Sequence, residues 1–307
     1  MKPLRIGIVG AGKIACDQHV PAIRASNRFE LTAIADPIAR LDDVACYPDV
    51  QAMLDAEPAL DAVALCQPPQ ARSDAARRAI AAGKHVLLEK PPGTDPAEVG
   101  DLVDAAHAIG VTLFAAWHSR HAAGVEAARA WLAGKRVRAI RMDWKEDVRV
   151  WHPGQDWIWR AGGFGVFDPG INALSILTAI VPGEVRLTAA SLDVPENRQA
   201  PIAAALTLRA GDIPVEAAFD WRQPGDPLWN IRVEADAGTL LLSEGSNRLA
   251  IDGVEQRLPP QTEYPSVYAE FARLIDEGRS DVDLKPLVLV ADAFRKGRHL
   301  ATDPFLD

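Results

Sequence analysis

Two ionisable side chains, Lys90 and Asp168, occupy positions from which they could exchange a proton with a bound ligand. Lys90 comes two residues after the predicted strand 85–88, at its carboxyl end. Asp168 comes just before the predicted helix 170–180. An amine or a carboxylate held against a ligand is suited to general acid–base chemistry. The alternatives are an ordinary surface lysine and an aspartate that only caps its helix.

Two more polar residues accompany Asp168. Asn172 follows it by four residues, so the two side chains share one face of the predicted helix. Glu146 falls on the otherwise apolar face of the predicted strand 137–148. An acid on an apolar face requires a partner, and either ligand hydroxyls or a lysine would serve.

Histidines and tryptophans add candidate ligand contacts. His118 and His152 can donate hydrogen bonds to ligand hydroxyls, although a core or loop histidine is equally common. The sequence contains eight tryptophans, four of them between residues 144 and 159. We predict that Trp151 and Trp229 form pocket walls and that the other tryptophans pack in the core.

A glycine-rich loop, Gly10-Ala11-Gly12-Lys13-Ile14-Ala15, separates the predicted strand 4–9 from a predicted helix over 13–26, in which we expect Pro21 to cause a kink or break. The first glycine permits a tight turn, and the second lets a pyrophosphate approach the backbone. The helix N-terminus then offers unpaired N–H groups to the phosphates. The loop therefore predicts a dinucleotide site contacted by Gly10, Gly12, Lys13 and Ile14; a plain strand–helix turn is the alternative.

Asp36 identifies the nucleotide that this site prefers. It follows the predicted strand 31–35, 24 residues after Gly12, where a carboxylate accepts hydrogen bonds from ribose hydroxyls and repels a 2′-phosphate. Arg40 is the nearest cation that could offset that repulsion. We predict NAD as the preferred cofactor, with NADP as the other candidate; a turn-forming Asp before proline is the alternative. In an open α/β sheet the ligand binds at the carboxyl ends of the strands. We therefore predict that four residues at the ends of later strands also contact the cofactor: Gln67, Pro68, Glu89 and Lys90.

The elements around these residues predict an α/β protein with two domains. Up to residue 118, short strands alternate with helices, which is typical of a Rossmann domain with a parallel sheet. From 119 to 307 consecutive strands predict a C-terminal α/β domain with a large, open, mainly antiparallel sheet. Its predicted strands are 137–148, 185–194, 201–209, 213–221, 229–235, 238–243 and 246–251. The predicted helices of this part are 122–133, 170–180, 265–277 and 285–297.

Composition excludes several classes of protein. The 307 residues are 48% hydrophobic and carry a formal net charge of −9, which argues against nucleic acid or an anionic membrane as a partner. The three cysteines, Cys16, Cys46 and Cys66, show no CxxC spacing, so we expect neither a disulfide framework nor a zinc site. We expect Cys16 to be buried. Free thiols, no signal-peptide core and no membrane-length apolar run predict a cytoplasmic protein.

Glu89-Lys90-Pro91 is a specific family marker. Together with the glycine-rich loop, Pro68-Pro69 and the segment from Gly162-Gly163 to Asp168, it resembles the glucose–fructose oxidoreductase/inositol dehydrogenase/MocA family along nearly the whole chain. The resemblance implies a cis peptide bond before Pro91 that aims Lys90. It also implies that the open sheet joins subunits, as a homodimer or homotetramer.

Longer runs resemble a subgroup of that family, the aldose 1-dehydrogenases acting on L-arabinose and D-galactose. These runs are 12–15 with 17–19, 117–120, 144–148, 151–155 and 165–172. The resemblance implies oxidation of the anomeric carbon of L-arabinose, D-galactose or D-fucose to a lactone with NAD or NADP. We expect no metal, because the nicotinamide is the electron sink and Lys90 can stabilise the developing oxyanion. From the resemblance together with the residue chemistry above, we predict Lys90 and Asp168 at the reacting carbon and six residues on the sugar: His118, Glu146, Trp151, His152, Asn172 and Trp229.

Asn172 departs from the broader family, in which many members carry a histidine at this position. An amide can hold a hydroxyl but cannot relay a proton, so the acid–base duty passes to Lys90 and Asp168. Two other functions stay open on the sequence alone. One is a dehydrogenase for another aldose or a cyclic polyol, and the other is a nucleotide-binding sensor without turnover.

Overall fold

The computed structural model describes residues 2–260 and 262–306. The chain divides into two compact units. The first contains the N-terminal part up to His118 and also residues 263–284, and the second contains residues 119–262 and the chain from Lys285 onward. The sequence pattern assigns everything after residue 118 to the second domain, so the return of 263–284 to the first unit corrects that prediction.

The first unit contains a six-stranded sheet in the order β3-β2-β1-β4-β5-β6, with every neighbouring pair parallel. This is the strand order of the doubly wound Rossmann fold, and it confirms the predicted fold class for this part of the chain. The elements in chain order are β1 Leu4–Val9, α1 Val20–Ala25, β2 Phe29–Ala35, β3 Ala45–Tyr47, α2 Val50–Ala56, β4 Ala62–Leu65, α3 Arg72–Ala81, β5 His85–Glu89, α4 Pro96–Ile109 and β6 Leu113–Ala116.

Local signals set the ends of α4. The Asp95 side chain accepts a hydrogen bond from the Ala97 N–H at 2.9 Å, and Pro96 occupies the first turn. The helix ends at Gly110, whose φ of 80° is left-handed and therefore suits glycine. The sequence pattern predicts a helix over 96–109 that Gly110 ends, and both bounds are confirmed.

The second unit contains a nine-stranded sheet in the order β14-β13-β12-β11-β7-β10-β9-β8-β15. Its neighbours are antiparallel except for the β7–β10 and β8–β15 pairs, which confirms the predicted large, mainly antiparallel sheet. The remaining elements in chain order, of which α8 belongs to the first unit, are α5 Ala123–Leu132, β7 Val137–Lys145, α6 Val148–Trp151, α7 Phe167–Ile180, β8 Val185–Pro195, β9 Ala203–Ala210, β10 Ile213–Asp220, β11 Leu228–Ala235, β12 Gly238–Ser243, β13 Arg248–Ile251, β14 Val254–Glu255, α8 Glu263–Glu277, α9 Lys285–Lys296 and β15 Arg298–Thr302.

One face of the nine-stranded sheet is covered by helices and the other is open. α7 packs on β7 and α9 packs on β8. In β9 the alternate residues Leu206 and Leu208 are buried, whereas Ala205, Thr207 and Arg209 are exposed on the opposite face. The sheet thus presents a broad solvent-exposed face in this chain.

Helix α8 explains why residues 263–284 belong to the first unit. Its Tyr264, Tyr268 and Phe271 are buried in the same core cluster as the β1 residues Ile6 and Ile8. The aromatic ring of Phe271 stacks at 5.7 Å on Phe29 and at 6.1 Å on Phe114. The helix therefore fills one layer of the Rossmann core. Within the described residues, no helix combines the length and apolarity needed to cross a membrane.

Candidate active site

The two glycines of the phosphate loop have the different surroundings that their predicted roles require. Gly10 has φ +84°, and a Cβ there would come within 2.6 Å of the Gln67 backbone nitrogen. A Cβ at Gly12, in contrast, would meet no protein atom within 4 Å. Gly10 is thus required by the turn itself, whereas Gly12 leaves its backbone open to a ligand. This cradle fits the pyrophosphate of a dinucleotide.

The helix after the loop begins irregularly. A π-helical turn over Ala15–His19 precedes α1, and Pro21 lies in the first turn of α1, so the helix predicted over 13–26 is divided close to Pro21. Lys13 is exposed and its ammonium donates to Asp17, while Ile14 is half-buried beside the loop. Cys16 is exposed rather than buried, because it falls on the outward face of the π-helical turn.

Asp36 lies directly after β2, where the sequence places it. Its carboxylate accepts hydrogen bonds from the backbone N–H groups of Ala11 at 2.9 Å, Ile38 at 2.9 Å and Ala39 at 2.8 Å. Burial alone would raise the pKa of Asp36, but these hydrogen bonds outweigh it and lower the pKa, so the group is anionic at neutral pH. Arg40 is exposed, and its guanidinium donates to the Asp36 backbone carbonyl at 3.1 Å.

Gln67 and Pro68 follow β4 beside Gly10. The Gln67 amide nitrogen donates to the Ala71 carbonyl at 3.2 Å, and Pro68 is exposed. Arg72, a residue that sequence reasoning missed, is 2% exposed at the start of α3. Its guanidinium donates to the backbone carbonyls of Gln67, Glu89 and Pro91 and so ties the ends of β4 and β5 together. An arginine in an Ala/Arg-rich helix gives no sequence signal of such burial.

The Glu89 side chain, which the sequence predicts at the cofactor, lies in the protein interior. Glu89 is 2% exposed, and its carboxylate oxygens lie 3.3 Å from His19 Nε2 and 3.3 Å from the Tyr264 hydroxyl. Alternation along β5 turns this side chain into the interior. Lys90, the next residue, is half-buried, and the Lys90–Pro91 peptide bond is cis, as the resemblance implies.

His118 belongs to the first unit and pairs with a residue of α8. Its Nδ1 lies 2.7 Å from Glu263 Oε2, and its ring stacks on Tyr264 with centroids 5.2 Å apart. Glu263 was not among the predicted site residues, because 145 residues separate it from His118 in the chain.

In the second unit, Glu146 joins two of the predicted ligand-binding residues. Its Oε1 lies 3.0 Å from His152 Nε2, and its Oε2 accepts a hydrogen bond from the Trp229 indole N–H at 2.9 Å. Glu146 is only 2% exposed. The buried Glu146 carboxylate is therefore partnered by the His152 imidazole and the Trp229 indole, rather than by the lysine that the sequence suggests. Both rings are held in one orientation by the same carboxylate.

Asp168 approaches this group from α7. Its Oδ2 lies 3.9 Å from His152 Nδ1, and Gln155 Oε1 lies 3.4 Å from the same nitrogen. Asn172 follows one helical turn later in α7, so its side chain shares a face with Asp168. A carboxylate–imidazole–carboxylate series, Asp168–His152–Glu146, results. Gln155 was missed as a participant, although it lies within the run 151–155 that the sequence singles out.

Aromatic rings form the surroundings of this series. The Trp151 ring meets the Trp229 ring edge-on with centroids 4.9 Å apart, and Trp151 is 42% exposed. Trp221 is fully buried with its ring 5.2 Å from that of His152, and it supports the imidazole from the protein interior. The second unit thus places polar groups beside partly exposed aromatic faces, a composition suited to a polyhydroxylated ligand.

Comparison with known proteins identifies the family. A family model described as an oxidoreductase family with an NAD-binding Rossmann fold, GFO/IDH/MocA, matches residues 4–117. The chain is 43% identical over 310 aligned residues to galactose 1-dehydrogenase of Pseudomonas fluorescens, with 100% of both chains covered. This protein is a member of the GFO/IDH/MocA oxidoreductase family. The predicted resemblance is confirmed.

Solved structures of other proteins agree with this membership. The crystal structure of a D-galactose-1-dehydrogenase protein from Rhizobium etli superposes with a TM-score of 0.96 at 53% identity, covering 100% of this chain and 99% of that one. A 3-ketoreductase from Actinomadura kijaniata, in complex with NADP and TDP-benzene, superposes with a TM-score of 0.86 at 20% identity, covering 98% and 99%. The second likeness bears on the fold alone.

Proposed function

We propose that this GFO/IDH/MocA oxidoreductase is an aldose 1-dehydrogenase that oxidises the anomeric carbon of D-galactose to the lactone, with NAD as the hydride acceptor. The observation that carries the proposal is the Asp168–His152–Glu146 series, walled by Trp151 and Trp229, in a chain similar from end to end to a galactose 1-dehydrogenase. L-Arabinose has the same ring stereochemistry at C2 to C4, so one pocket would accept both sugars.

The proposed chemistry is the transfer of a hydride and a proton from C1 of the sugar. The C1–H bond breaks and its electron pair leaves as hydride, which the nicotinamide accepts when NAD is bound. The C1 hydroxyl loses its proton to Asp168 or Lys90, and the C1–O bond becomes the lactone carbonyl. Lactone, NADH and one proton are the balanced products. The Lys90 ammonium is suited to stabilise negative charge on the C1 oxygen.

His152 and Glu146 prepare Asp168 for this step. Glu146 holds His152 Nε2 at 3.0 Å, so the imidazole turns Nδ1 toward Asp168. A proton taken by Asp168 then has an acceptor beside it, and a protonated His152 would be stabilised by Glu146. Trp229, fixed by the same carboxylate, offers its ring to the C–H face of a sugar.

A panel of sugars tests the function. NADH formation is followed by absorbance with D-galactose, L-arabinose, D-fucose, D-glucose and myo-inositol, each with NAD. We expect the highest kcat/KM among the first three, differing by a factor that corresponds to roughly 1–3 kcal/mol for one hydroxymethyl group. Turnover of myo-inositol alone would identify a cyclic polyol dehydrogenase, and no turnover of any sugar would favour the nucleotide-binding sensor.

Asp36 supports NAD over NADP. Its carboxylate is anionic and would repel a 2′-phosphate, although the exposed Arg40 lies beside it. We expect kcat/KM for NAD to exceed that for NADP about tenfold or more, and Asp36→Asn to narrow the ratio about tenfold, because the amide keeps a hydrogen-bond acceptor but loses the charge. Asp55→Asn, an exposed change on α2, serves as the control. An NADP preference in the unchanged protein would contradict this role.

We also propose that the open face of the nine-stranded sheet binds a second copy of the chain. A concavity of about 490 Å³ on this face is lined by exposed Ala189 and Ala205 and by the charged Arg141 and Glu216. Arg141 Nη1 lies 3.7 Å from Glu216 Oε2 in one chain. In a two-fold dimer, the small side chains would let the two sheets approach closely. Arg141 of each chain could then pair with Glu216 of the other.

Light scattering after size exclusion tests this association. We expect a mass of twice or four times 33.1 kDa. Ala205→Arg places a bulky cation in the concavity and should lower the mass to 33.1 kDa, whereas Ala81→Arg, on an exposed helix position of the first unit, should not. A monomeric unchanged protein would refute the proposal.

A further inference from the structure

A buried polar cluster lies beneath the phosphate loop, and the proposed chemistry does not use it. His19, the last residue of the π-helical turn, is 0% exposed. Its Nδ1 lies 2.7 Å from the Tyr268 hydroxyl, and its Nε2 lies 3.3 Å from Glu89 Oε2. The Tyr264 hydroxyl donates to the other Glu89 oxygen at 3.3 Å. All four residues belong to the first unit.

The cluster contains a matched pair of charges. Burial opposes protonation of His19, but the Cys66 side chain and the Glu89 carboxylate outweigh it and raise the pKa of His19 to about 10. Burial also opposes ionisation of Glu89, yet His19 outweighs it and lowers the Glu89 pKa. The pair is therefore an imidazolium and a carboxylate at neutral pH. Both imidazolium N–H groups then donate, one to Glu89 and one to Tyr268.

The pair connects two parts of the nucleotide-binding machinery. His19 lies in the helical turn that follows the phosphate loop, and Glu89 is the last residue of β5, directly before Lys90. Arg72 holds the backbone carbonyls of Glu89 and Pro91. The backbone that carries Lys90 is thus held by Arg72 at the carbonyls of Glu89 and Pro91. It is also held by His19 through the Glu89 side chain.

We propose that His19 is a positioning residue that, through its buried ion pair with Glu89, holds the Lys90-bearing end of β5 in register with the phosphate loop. Removing one charge leaves the other buried without a counter-charge, which strains both attached segments. Removing both charges together, with amides that keep hydrogen bonding, relieves that strain. The inference rests on the proposed function only for its kinetic readout.

Three variants separate positioning from simple packing: His19→Gln, Glu89→Gln and the double variant. We expect each single change to weaken NAD binding about tenfold by calorimetry and to lower kcat with galactose about 100-fold, with KM for galactose within threefold. The double variant should recover at least tenfold of the lost kcat. His107→Gln, the same substitution at an exposed site on α4, should behave like the unchanged protein.

The pH dependence of stability gives a second, sugar-free readout. Because the His19 pKa is raised from 6.5 to about 10, the contribution of its charge to folding is complete below pH 6.5 and is lost as the pH rises toward 10. Because the Glu89 pKa is lowered, the contribution of that carboxylate is present above its unfolded pKa of 4.5 and is lost as the pH falls below it.

The melting temperature of the unchanged protein relative to the double variant should therefore fall steadily between pH 6.5 and 10. The groups facing the pair are Cys66, Tyr264 and Tyr268, with His118 and Lys90 acting on Glu89. Tyr264 and Tyr268 do not ionise in this window, because burial raises the pKa of each phenol well above 10.

Two results would overturn the inference. One is a double variant no better than the worse single variant, and the other is single variants that fold and bind NAD as the unchanged protein does. If a single variant does not fold, Tyr268→Phe removes only the hydroxyl 2.7 Å from His19 and keeps both charges. It should weaken NAD binding, and NAD binding equal to that of the unchanged protein would overturn the inference. Nucleotide affinity and melting need no sugar, so a failure of galactose oxidation would be seen separately in the unchanged protein.

Discussion

Replacing Asp168 by Asn is expected to lower kcat/KM for D-galactose about 10²- to 10⁴-fold while leaving the affinity for NAD within twofold. The amide has nearly the same shape as the carboxylate but cannot accept the proton of the C1 hydroxyl. NADH absorbance measures the first quantity, and calorimetry measures the second. Asp212→Asn, at an exposed turn between β9 and β10, is the matched control and should retain full activity.

The kinetic pattern of Asp168→Asn also assigns the primary proton acceptor. If Asp168 takes the proton, kcat falls with kcat/KM, because the lost interaction belongs to the transition state. If Lys90 takes it and Asp168 only holds the sugar, KM rises and kcat changes little. If both kcat and KM are unchanged, Asp168 is not part of the active site. The 3.9 Å separation from His152 Nδ1 favours the first pattern, since a proton on Asp168 has a neighbouring acceptor.

Elements that carry their own start and stop signals were predictable from the sequence. The α4 helix has Asp95 and Pro96 at its start and Gly110 at its end, so neighbouring residues alone determine its bounds. The predicted apolar face of β7 is equally local, and its members Met142 and Trp144 are buried as expected. In contrast, the three-residue strand β3 carries too short a pattern to be seen.

Features that depend on distant parts of the chain could not be predicted. Helix α8 returns to the first unit because Phe271 fits against Phe29 and Phe114, and no periodicity reveals which core a helix will enter. The same limit applies to the candidate site. The sequence indicates Glu146 and His152 separately, but only folding shows that one carboxylate holds both the imidazole and the Trp229 indole. The strand position of Glu89 predicts a cofactor contact, yet side-chain alternation turns the carboxylate toward His19.

Alanine at Gly10 and alanine at Gly12 should have different effects, the first on stability and the second on NAD binding. At Gly10 the added Cβ meets the Gln67 backbone nitrogen at 2.6 Å in a left-handed conformation, so Gly10→Ala should destabilise the protein itself by about 1–3 kcal/mol. Denaturant unfolding without nucleotide measures this loss. Gly100→Ala is the control for the substitution, because Gly100 lies within α4 with nothing within 4 Å of its added Cβ.

Gly12→Ala should leave the free energy of unfolding unchanged, since its Cβ would meet no protein atom within 4 Å. That Cβ would instead occupy the open space that a pyrophosphate needs beside the backbone, so the Kd for NAD should rise about tenfold or more, a change of about 1.4 kcal/mol. A Gly12→Ala variant that binds NAD normally would mean that the nucleotide does not approach this part of the loop. A Gly12→Ala variant that loses stability instead would mean that the space is needed by the protein and not by the cofactor.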